Sequence, residues 1–367
     1  MITGCARGKH ARSLGANGGR EQPEWSRRWY YGDAMSGSSD AAASGASDGV
    51  SAATDPLGGR PRWYRHPYNR ATLYRFAEAL SWMPRGLRLR LARRVGQLAP
   101  RFLPAERQAV RKTLELVTGT SGARLEKLTA GVFSDFAMCF SDLVSTNRQP
   151  TARLSGYIGS VTGAEHVRGL SSGIVSVTAH VGNWELAGRL LADHSARRTH
   201  VVVAPEEVPE LERWVRRDAE GMRFVPRTHP SIGAELLGAL RRGDAVALQG
   251  DRALGTRGDV QIPFFGRPAP FPLGPFLLAR AARVPLVPAF CVLDGRYRYA
   301  VRISAPIAVG RGEEWDAARA WVAQLEGVVR EHPTQWFNFF DVWTPFGEPA
   351  PSPVVSRSAG PAPETRR

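Results

Sequence analysis

The sequence GIVSVTAHVGNWE at residues 173–185 predicts a strand that passes through a tight turn into a helix. Its first part, up to Ala179, is mostly apolar and β-branched, which is typical of a short buried strand. Leucines then recur at helical spacing from Trp184 to Ala196, and Asn183 is well suited to cap the first turn of that helix. The stretch therefore predicts a strand end with a helix N-terminus beside it.

Two side chains of this stretch suggest chemistry. His180 should lie at the C-terminal edge of the strand and Glu185 in the first turn of the helix, with Gly182 able to turn the chain between them. A carboxylate that holds one imidazole nitrogen leaves the other free to take a proton from a substrate hydroxyl. We therefore interpret His180 as a general base and Glu185 as the carboxylate that orients it.

A plain structural alternative stays open for the same pair. His180 would then merely end a strand, and Glu185 would favour a helix N-terminus, where negative charge is stabilised. A metal site is discounted, because the spacing does not place both side chains on one helical face and the sequence has no HExxH or CxxC pattern.

Length and composition predict one main domain with unstructured ends. The chain has 367 residues, 43% of them hydrophobic, and its 38 glycines and 27 prolines indicate loops and tails. We expect a disordered extension at residues 1–60, one domain at 61–347 and a disordered tail at 348–367. No signal peptide is evident, and no run reaches the roughly 18 apolar residues that a transmembrane helix requires.

The charge predicts an anionic partner. The formal net charge is +15, from 49 basic and 34 acidic residues, and all but three of the basic residues are arginine. This balance favours nucleic acid or an anionic membrane surface. Nucleic acid ranks last, because the basic residues are scattered without an RRM, zinc-finger or helix-turn-helix signature. The three cysteines are widely separated and form no framework, which fits a reducing cytoplasmic setting.

Two amphipathic helices are predicted near the start of the domain. Apolar residues mark one face from Leu73 to Leu80, Pro84 breaks the pattern, and leucines alternate with arginines at residues 87–98. Apolar residues interleaved with arginine suit a helix that lies in an anionic interface. An ordinary surface helix, packed on the core with a solvated basic face, fits the pattern equally well.

Strands and helices alternate after the opening motif, which predicts an α/β fold. We expect a single domain with a largely parallel or mixed central sheet flanked by helices and preceded by the amphipathic helices. The expected strands are 199–204, 245–249, 286–292 and 297–303, and the expected helices are 105–117, 124–144, 209–221, 231–242, 276–283 and 315–330. The pair Asp294-Gly295 is a hairpin turn signal between the last two strands.

Two further stretches carry candidate site residues. Asp251 and Arg252 follow a predicted strand, and substrate groups usually lie at such strand ends in α/β proteins. Their plain alternative is a surface ion pair. The aromatic-rich residues 335–343 predict a buried final segment or, less favoured, a wall that contacts an acyl chain. The phenylalanines at 133, 136 and 140 are interpreted as core.

The order of these motifs resembles the lysophospholipid acyltransferase superfamily, specifically the bacterial late lipid A acyltransferase branch of lauroyl and myristoyl acyltransferases. His180, Glu185 and Arg189 resemble its HxxxxD/E block. Residues 250–255, 262–266 and 273–280 look like its second signature, 105–111 like its arginine-rich helix and 333–336 like its Pro-x-Gln-aromatic element. The resemblance runs from about Leu73 to Trp343.

The resemblance implies transfer of a fatty acyl group from an acyl carrier protein or coenzyme A thioester to a hydroxyl of a membrane lipid or glycolipid. It implies no bound cofactor and a place on the cytoplasmic face of the bacterial inner membrane. His180 would remove the acceptor proton and Glu185 would orient it. Arg189 and Arg252 would stabilise the oxyanion or grip a phosphate, and Asp251 would help to bind the acceptor. Gly255 belongs to the same substrate-binding block.

Two departures leave the acceptor open. Late lipid A acyltransferases usually begin with an apolar anchor and end in a basic tail after the Gln-aromatic element, and this sequence shows neither pattern. Related branches acylate phosphatidylinositol mannosides or other lipids, so we expect a phospholipid-like or glycolipid acceptor rather than a lipid A precursor. The alternative function is a non-catalytic, basic membrane-binding protein with the same fold.

Overall fold

A seven-stranded mixed sheet forms the central layer of the protein. The computed structural model describes residues 71–146, 149, 151–195, 197–204, 221–295 and 297–343. The strands lie in the order β1-β9-β8-β2-β5-β3-β4, and only the β8–β9 pair is antiparallel. The strands of this sheet are β1 (Ile158–Thr162), β2 (Ile174–Thr178), β3 (Thr199–Val203), β4 (Met222–Pro226), β5 (Ala245–Gln249), β8 (Leu286–Leu293) and β9 (Tyr299–Ile303).

The central strands are covered by helices on both faces. All eight residues of β8 are buried, as are the first four of β2, which explains their unbroken apolar sequences. The helices within the described residues are α1 (Ala71–Leu80), α2 (Arg85–Leu98), α3 (Pro104–Thr118), α4 (Gly122–Thr146), α5 (Thr151–Leu154), α6 (Glu165–Arg168), α7 (Trp184–Ser195), α8 (Ile232–Arg241), α9 (Gly274–Ala282) and α10 (Glu314–Glu331). The predicted α/β fold with a mixed sheet and preceding amphipathic helices is confirmed.

Helix α2 packs one face tightly on α4. A side chain at Gly96 would lie 2.5 Å from the Phe133 carbonyl oxygen, so only glycine permits this approach. Leu89 and Arg88 are buried on the same face. The sequence left open whether the arginine-rich segment packs on the core or lies in a membrane interface. The face of α2 that carries Leu89 and Gly96 packs on the core. Arg88 is one of the arginines at residues 87–98 that were candidates for membrane contact. It is only 2% exposed, so its side chain does not reach the surface.

The buried carboxylate of Asp142 joins α2, α4 and β9. Arg85 donates to it through Nε at 3.1 Å and Nη2 at 2.7 Å, and Arg88 donates through Nη2 at 2.8 Å. The Tyr299 hydroxyl donates at 3.0 Å. A buried charge is tolerated only when it is paired and hydrogen-bonded, and this cluster meets both conditions.

One helix in the described part of the chain, α4, is long and apolar enough to cross a membrane by composition alone. Half of its most apolar window is buried inside the protein, and it packs against α2 and α3. Those contacts are what a core helix makes. By composition, however, α4 reaches the length and hydropathy that we expected no run of the sequence to reach.

The structure adds elements that the sequence did not suggest. Strands β1 and β4 lie at the two sheet edges, and β6 (Asp259–Phe264) and β7 (Arg267–Pro272) form a separate antiparallel hairpin. The hairpin was missed because its prolines at 263, 268, 270 and 272 are typical of loops. The tails expected at 1–60 and 348–367, and all but the last residue of the helix expected at 209–221, lie outside the described residues.

Candidate active site

Neighbouring parallel strands bring His180 and Asp251 together. Strands β2 and β5 pair in register, with their last residues Thr178 and Gln249 opposite each other. His180 and Asp251 each follow two residues later, so they meet at the same carboxyl edge of the sheet, where α/β proteins bind their ligands. The distance from His180 Nδ1 to Asp251 Oδ1 is 2.7 Å.

The Asp251 carboxylate is held from several sides. Its Oδ2 accepts from the His180 backbone N–H at 3.1 Å, from Trp336 Nε1 at 3.0 Å and from Asn338 Nδ2 at 3.4 Å. Burial would raise the pKa of this carboxyl group, but contact with His180 and the charge of Arg252 outweigh it, and the pKa lies far below its ordinary value. Asp251 is therefore an ionised carboxylate at neutral pH.

The His180 imidazole is neutral at the same pH. Burial lowers its pKa below the ordinary 6.5, and the charge of Arg252 lowers it further, against the opposing effect of Asp251. Because an ionised carboxylate only accepts hydrogen bonds, Nδ1 must carry the proton. The lone pair then lies on Nε2, which makes His180 a proton acceptor aimed away from Asp251.

The turn after His180 depends on Gly182. Its φ is +57°, and a Cβ there would lie 2.1 Å from the carbonyl oxygen of Cys291. The Gly182 amide donates to the Gln335 carbonyl at 2.9 Å, and the Asn183 amide donates to Cys291 at 2.9 Å. Asn183 Oδ1 accepts from the Leu186 amide at 3.2 Å, which confirms the predicted cap of α7.

The first half of the C-terminal aromatic segment, residues 335–338, is buried at this site as the first interpretation predicts, whereas residues 339–343 are partly buried or exposed. The Gln335 side chain exchanges two 2.7 Å hydrogen bonds with the backbone of Leu293. The Phe337 amide donates to the His180 carbonyl at 2.8 Å, and Trp336 and Phe337 are each at most 3% exposed. Sequence reasoning assigned no site role to Trp336 or Asn338; the Pro-x-Gln-aromatic resemblance was the signal that could have found them.

Arg252 lies beside the pair and is partly buried. Its Nε donates to Asn338 Oδ1 at 2.9 Å, and its Nη2 donates to the Phe337 carbonyl at 2.7 Å. The guanidinium also lies over the Phe340 ring, 5.6 Å from the centroid. These contacts fix a positive charge close enough to His180 to depress its pKa.

The structure corrects the role assigned to Glu185. The carboxylate that holds the imidazole is that of Asp251, whereas Glu185 lies in the first turn of α7, one turn before Arg189. Burial lowers the pKa of Arg189, and the charge of Glu185 opposes that effect. Spacing along the chain suggested Glu185 because it is near in sequence; the partner that β5 brings across the sheet is 71 residues away.

Arg189 is likewise placed differently from expectation. It is 7% exposed, and its Nη1 donates to the Thr146 carbonyl at 2.6 Å. This contact satisfies a carbonyl at the C-terminus of α4, where cations are stabilised. The geometry gives Arg189 a contact between helices rather than an exposed grip for phosphate.

Gly255 lies in a loop that is closed on itself. Asp259 Oδ2 accepts from the amides of Leu254 at 2.8 Å, Gly255 at 2.7 Å and Thr256 at 3.1 Å. Gly255 has φ +69°, a conformation that favours glycine. Its amide thus holds the loop, and the substrate-binding role of Gly255 stays a prediction.

The comparisons with known proteins supply the enzyme class of this α/β protein, an acyltransferase, and name its family. Residues 65–344 match the family described as bacterial lipid A biosynthesis acyltransferase, and the chain belongs to that family. The class of enzyme predicted from the sequence is thereby confirmed.

The curated relatives are similar over part of the chain. The phosphatidylinositol mannoside acyltransferases of two Mycobacterium tuberculosis strains are 27% identical over 208 residues, which cover 55% of this chain and 64% of the relative. The Mycolicibacterium smegmatis protein of the same name is 26% identical over 175 residues, 47% of this chain and 57% of the relative. The chain thus matches less than two thirds of the length of these relatives.

A solved structure also aligns with the chain. The crystal structure of the 1-acyl-sn-glycerophosphate acyltransferase PlsC from Thermotoga maritima is 14% identical, with 70% of this chain and 100% of that chain covered. The TM-score of this alignment is 0.33.

Proposed function

We propose that this chain transfers a fatty acyl group from an acyl thioester to a hydroxyl of a membrane lipid or glycolipid, with His180 as general base and Asp251 as the residue that orients it. The observation that carries the proposal is the buried pair itself. A neutral imidazole lies with Nδ1 2.7 Å from an ionised carboxylate, which leaves Nε2 to accept a proton.

The chemistry follows from that geometry. Nε2 takes the proton of the acceptor hydroxyl as its oxygen attacks the thioester carbonyl carbon, and a C–O bond forms. The tetrahedral intermediate collapses, the C–S bond breaks, and the imidazolium returns the proton to the leaving thiolate. Asp251 stabilises the imidazolium in between, because the positive ring then faces a carboxylate 2.7 Å away. No cofactor enters these steps; acyl carrier protein or coenzyme A comes and goes as part of the co-substrate.

Arg252 is the candidate for stabilising the oxyanion. Its charge acts on the His180 imidazole, and its side chain is fixed by Asn338 and the Phe337 carbonyl. A cation that is positioned before the reaction stabilises developing negative charge without reorganisation. Arg189 is not assigned this role, because its guanidinium is buried against Thr146.

A series of aromatic rings next to His180 suits the acyl chain. The Trp184 ring lies 5.0 Å from the imidazole, and Phe337 lies 6.5 Å from Trp184. Phe136 follows at 5.4 Å and Phe140 at a further 6.0 Å, so the rings continue from the pair along α4. Trp184, Phe136 and Phe140 are only partly buried, which leaves apolar surface for a ligand. Phe133 is a core residue as expected, and the proposal adds a ligand-facing role only for the partly buried Phe136 and Phe140.

The acceptor we propose is a glycolipid of the phosphatidylinositol mannoside type. The curated relatives carry that name, and residues 337–343, after the Gln-aromatic element, are aromatic rather than basic. The proposed location is the cytoplasmic face of the bacterial inner membrane, where carrier thioesters and lipid acceptors meet. We do not propose nucleic acid as a partner.

The test is acyl transfer by the purified chain in a matrix of donors and acceptors. Palmitoyl-coenzyme A and palmitoyl-acyl carrier protein are each offered with a phosphatidylinositol mannoside, phosphatidylinositol or a tetra-acylated lipid A precursor, and products are resolved by mass spectrometry. We expect the mannoside to gain one acyl chain fastest. Acylation confined to the lipid A precursor would overturn the acceptor, and acylation of none would favour the non-catalytic membrane-binding alternative.

A further inference from the structure

Helix α2 has a second face that the fold leaves in water. Leu87, Leu91, Val95 and Leu98 follow one another at spacings of four, four and three, so they lie on one side of the helix. They are 49%, 38%, 56% and 46% exposed, respectively. The opposite side, with Leu89 at 0%, is the one that packs on α4. The exposed stripe therefore keeps much of its apolar surface outside the core.

Aromatic side chains extend this stripe at both ends. Trp82, just before α2, is 90% exposed, and Phe102, just after it, is 79% exposed. Among the residues whose exposure the structure describes, nine large hydrophobic side chains are exposed, and seven of them fall between Phe76 and Phe102. Such a concentration marks an interaction site, because scattered exposure is the norm for a soluble surface. We call Trp82, Leu87, Leu91, Val95, Leu98 and Phe102 the outer face.

The outer face is bordered by positive charge. Arg90, Arg93, Arg94 and Arg101 are exposed, and the sequence has no aspartate or glutamate between Glu78 and Glu106. The other two arginines of the segment, Arg85 and Arg88, are paired with Asp142. An apolar stripe flanked only by cations is complementary to a surface that is apolar inside and anionic outside.

Charge argues against the other occupants. A second copy of this chain would bring one row of exposed arginines against another. Residues 1–70 of the chain hold ten basic and six acidic residues, so they too carry the same sign as the outer face. An anionic phospholipid bilayer supplies both the apolar medium and the opposite charge, and tryptophan favours its interface.

We propose that the outer face docks on an anionic phospholipid bilayer and holds the protein on the membrane as a monotopic enzyme. The face is preformed, because Asp142 pairs with two arginines of α2, and Gly96 lies against the backbone of α4. The inference extends the proposed function, whose lipid acceptor lies in such a bilayer, but it does not require the chemistry at His180.

The experiment is co-sedimentation of the full chain with vesicles. Vesicles of phosphatidylcholine are compared with vesicles that contain phosphatidylglycerol as well, at fixed salt. Two outer-face variants are compared with matched changes elsewhere on the surface: Leu91→Ser/Val95→Ser against Leu277→Ser, and Arg93→Gln/Arg94→Gln against Arg241→Gln/Arg311→Gln. Leu277 is 37% exposed on α9, and Arg241 and Arg311 are exposed.

We expect the parent protein to bind the anionic vesicles, and we expect the matched control variants to bind them equally well. The arginine pair should weaken it about thirtyfold, given the contribution of each basic residue near such a surface, and high salt should do the same. The Leu91→Ser/Val95→Ser variant should weaken binding to anionic vesicles with only a small fall in thermal midpoint, since both side chains are already partly exposed. The His180→Ala variant should bind as well as the parent, which separates docking from the proposed chemistry.

Three results would overturn the proposal. Equal binding by the outer-face variants and the parent would place the contact elsewhere. A fall in thermal midpoint for Leu91→Ser/Val95→Ser as large as that of Leu89→Ser, on the buried side of α2, would mean that another segment of the chain covers the face. A dimer that light scattering detects in the parent but not in that variant, without vesicle binding, would make the face an interface between copies.

Discussion

His180 Nδ1 lies 2.7 Å from Asp251 Oδ1, although 71 residues separate the two in sequence. The contact exists because β2 and β5 pair in register and each residue follows its strand by two positions. Burial and the charge of Arg252 keep the imidazole neutral, and the contact with His180 and the charge of Arg252 keep the carboxylate ionised. In the proposed mechanism, this arrangement sets the pair for proton abstraction before any substrate binds.

Replacing Asp251 should cost more activity than replacing Glu185. In Asp251→Asn the imidazole loses the charge that fixes its tautomer and stabilises the imidazolium, so kcat should fall about a hundredfold or more. Glu185→Gln is the matched control, since it is also a carboxylate-to-amide change close to His180 in sequence. If Glu185→Gln reduced kcat as much as Asp251→Asn, with circular dichroism unchanged in both, Glu185 would be the orienting residue after all.

The pH dependence of kcat/KM should report the lowered pKa of His180. A general base works only when deprotonated, so the rate should fall as pH drops through a pKa that lies below 6.5. The charge of Arg252 lowers that pKa, so Arg252→Gln should raise it and move the acid limb to higher pH. The measurement is a pH–rate profile of parent and variant.

Arg311→Gln provides the control for that profile, because Arg311 is an exposed arginine in the loop before α10. It should leave the acid limb in place. An acid limb that does not move in Arg252→Gln would show that the guanidinium does not act on the base.

Removing Asp142 should destabilise the protein strongly. In Asp142→Ala the buried Arg88 guanidinium would keep its charge and lose its partner, which typically costs about 3–5 kcal/mol. Glu331→Gln is the control, because it disrupts the exposed Arg302–Glu331 pair, and such pairs contribute about 0–1 kcal/mol. Thermal unfolding should separate the two variants by about 10 °C. Equal midpoints would remove the structural role given to the Asp142 cluster.

Gly182→Ala should damage both stability and activity. The new Cβ would lie 2.1 Å from the Cys291 carbonyl oxygen, so the turn after His180 would have to move. Gly119→Ala is matched in backbone conformation, with φ +63° against +57°, but meets nothing within 4 Å. The control should cost only the roughly 1–2 kcal/mol of a left-handed alanine. Comparable losses of activity in the two variants would argue against a fixed turn beside the base.

Local sequence patterns predicted the strand and helix of the site, but they did not predict which side chains meet there. The β2 strand, the Asn183 cap and α7 follow from short-range rules, and the structure places them within one or two residues of expectation. The pairing of His180 with Asp251 depends on strand order, which no local pattern contains. Glu185 was chosen because it was the acid nearest in sequence.

Two other differences have physical causes of the same kind. Arginines on α2 look alike in sequence, but the helix turns Arg88 toward Asp142 and Arg90 toward solvent. The β6–β7 hairpin is built from residues that usually interrupt strands, and it forms where Phe264 packs on Trp336, with ring centroids 5.2 Å apart. In both cases a tertiary contact decides what local propensity leaves open.

The turnover of His180→Ala tests the central claim most directly. Acyl transfer to the lipid acceptor that the parent uses fastest is measured for parent and variant at equal concentration, with circular dichroism and thermal unfolding to show that both are folded. Loss of a general base should lower kcat by about a hundredfold to ten-thousandfold. A folded His180→Ala protein that transfers acyl groups at close to the parent rate would contradict the account.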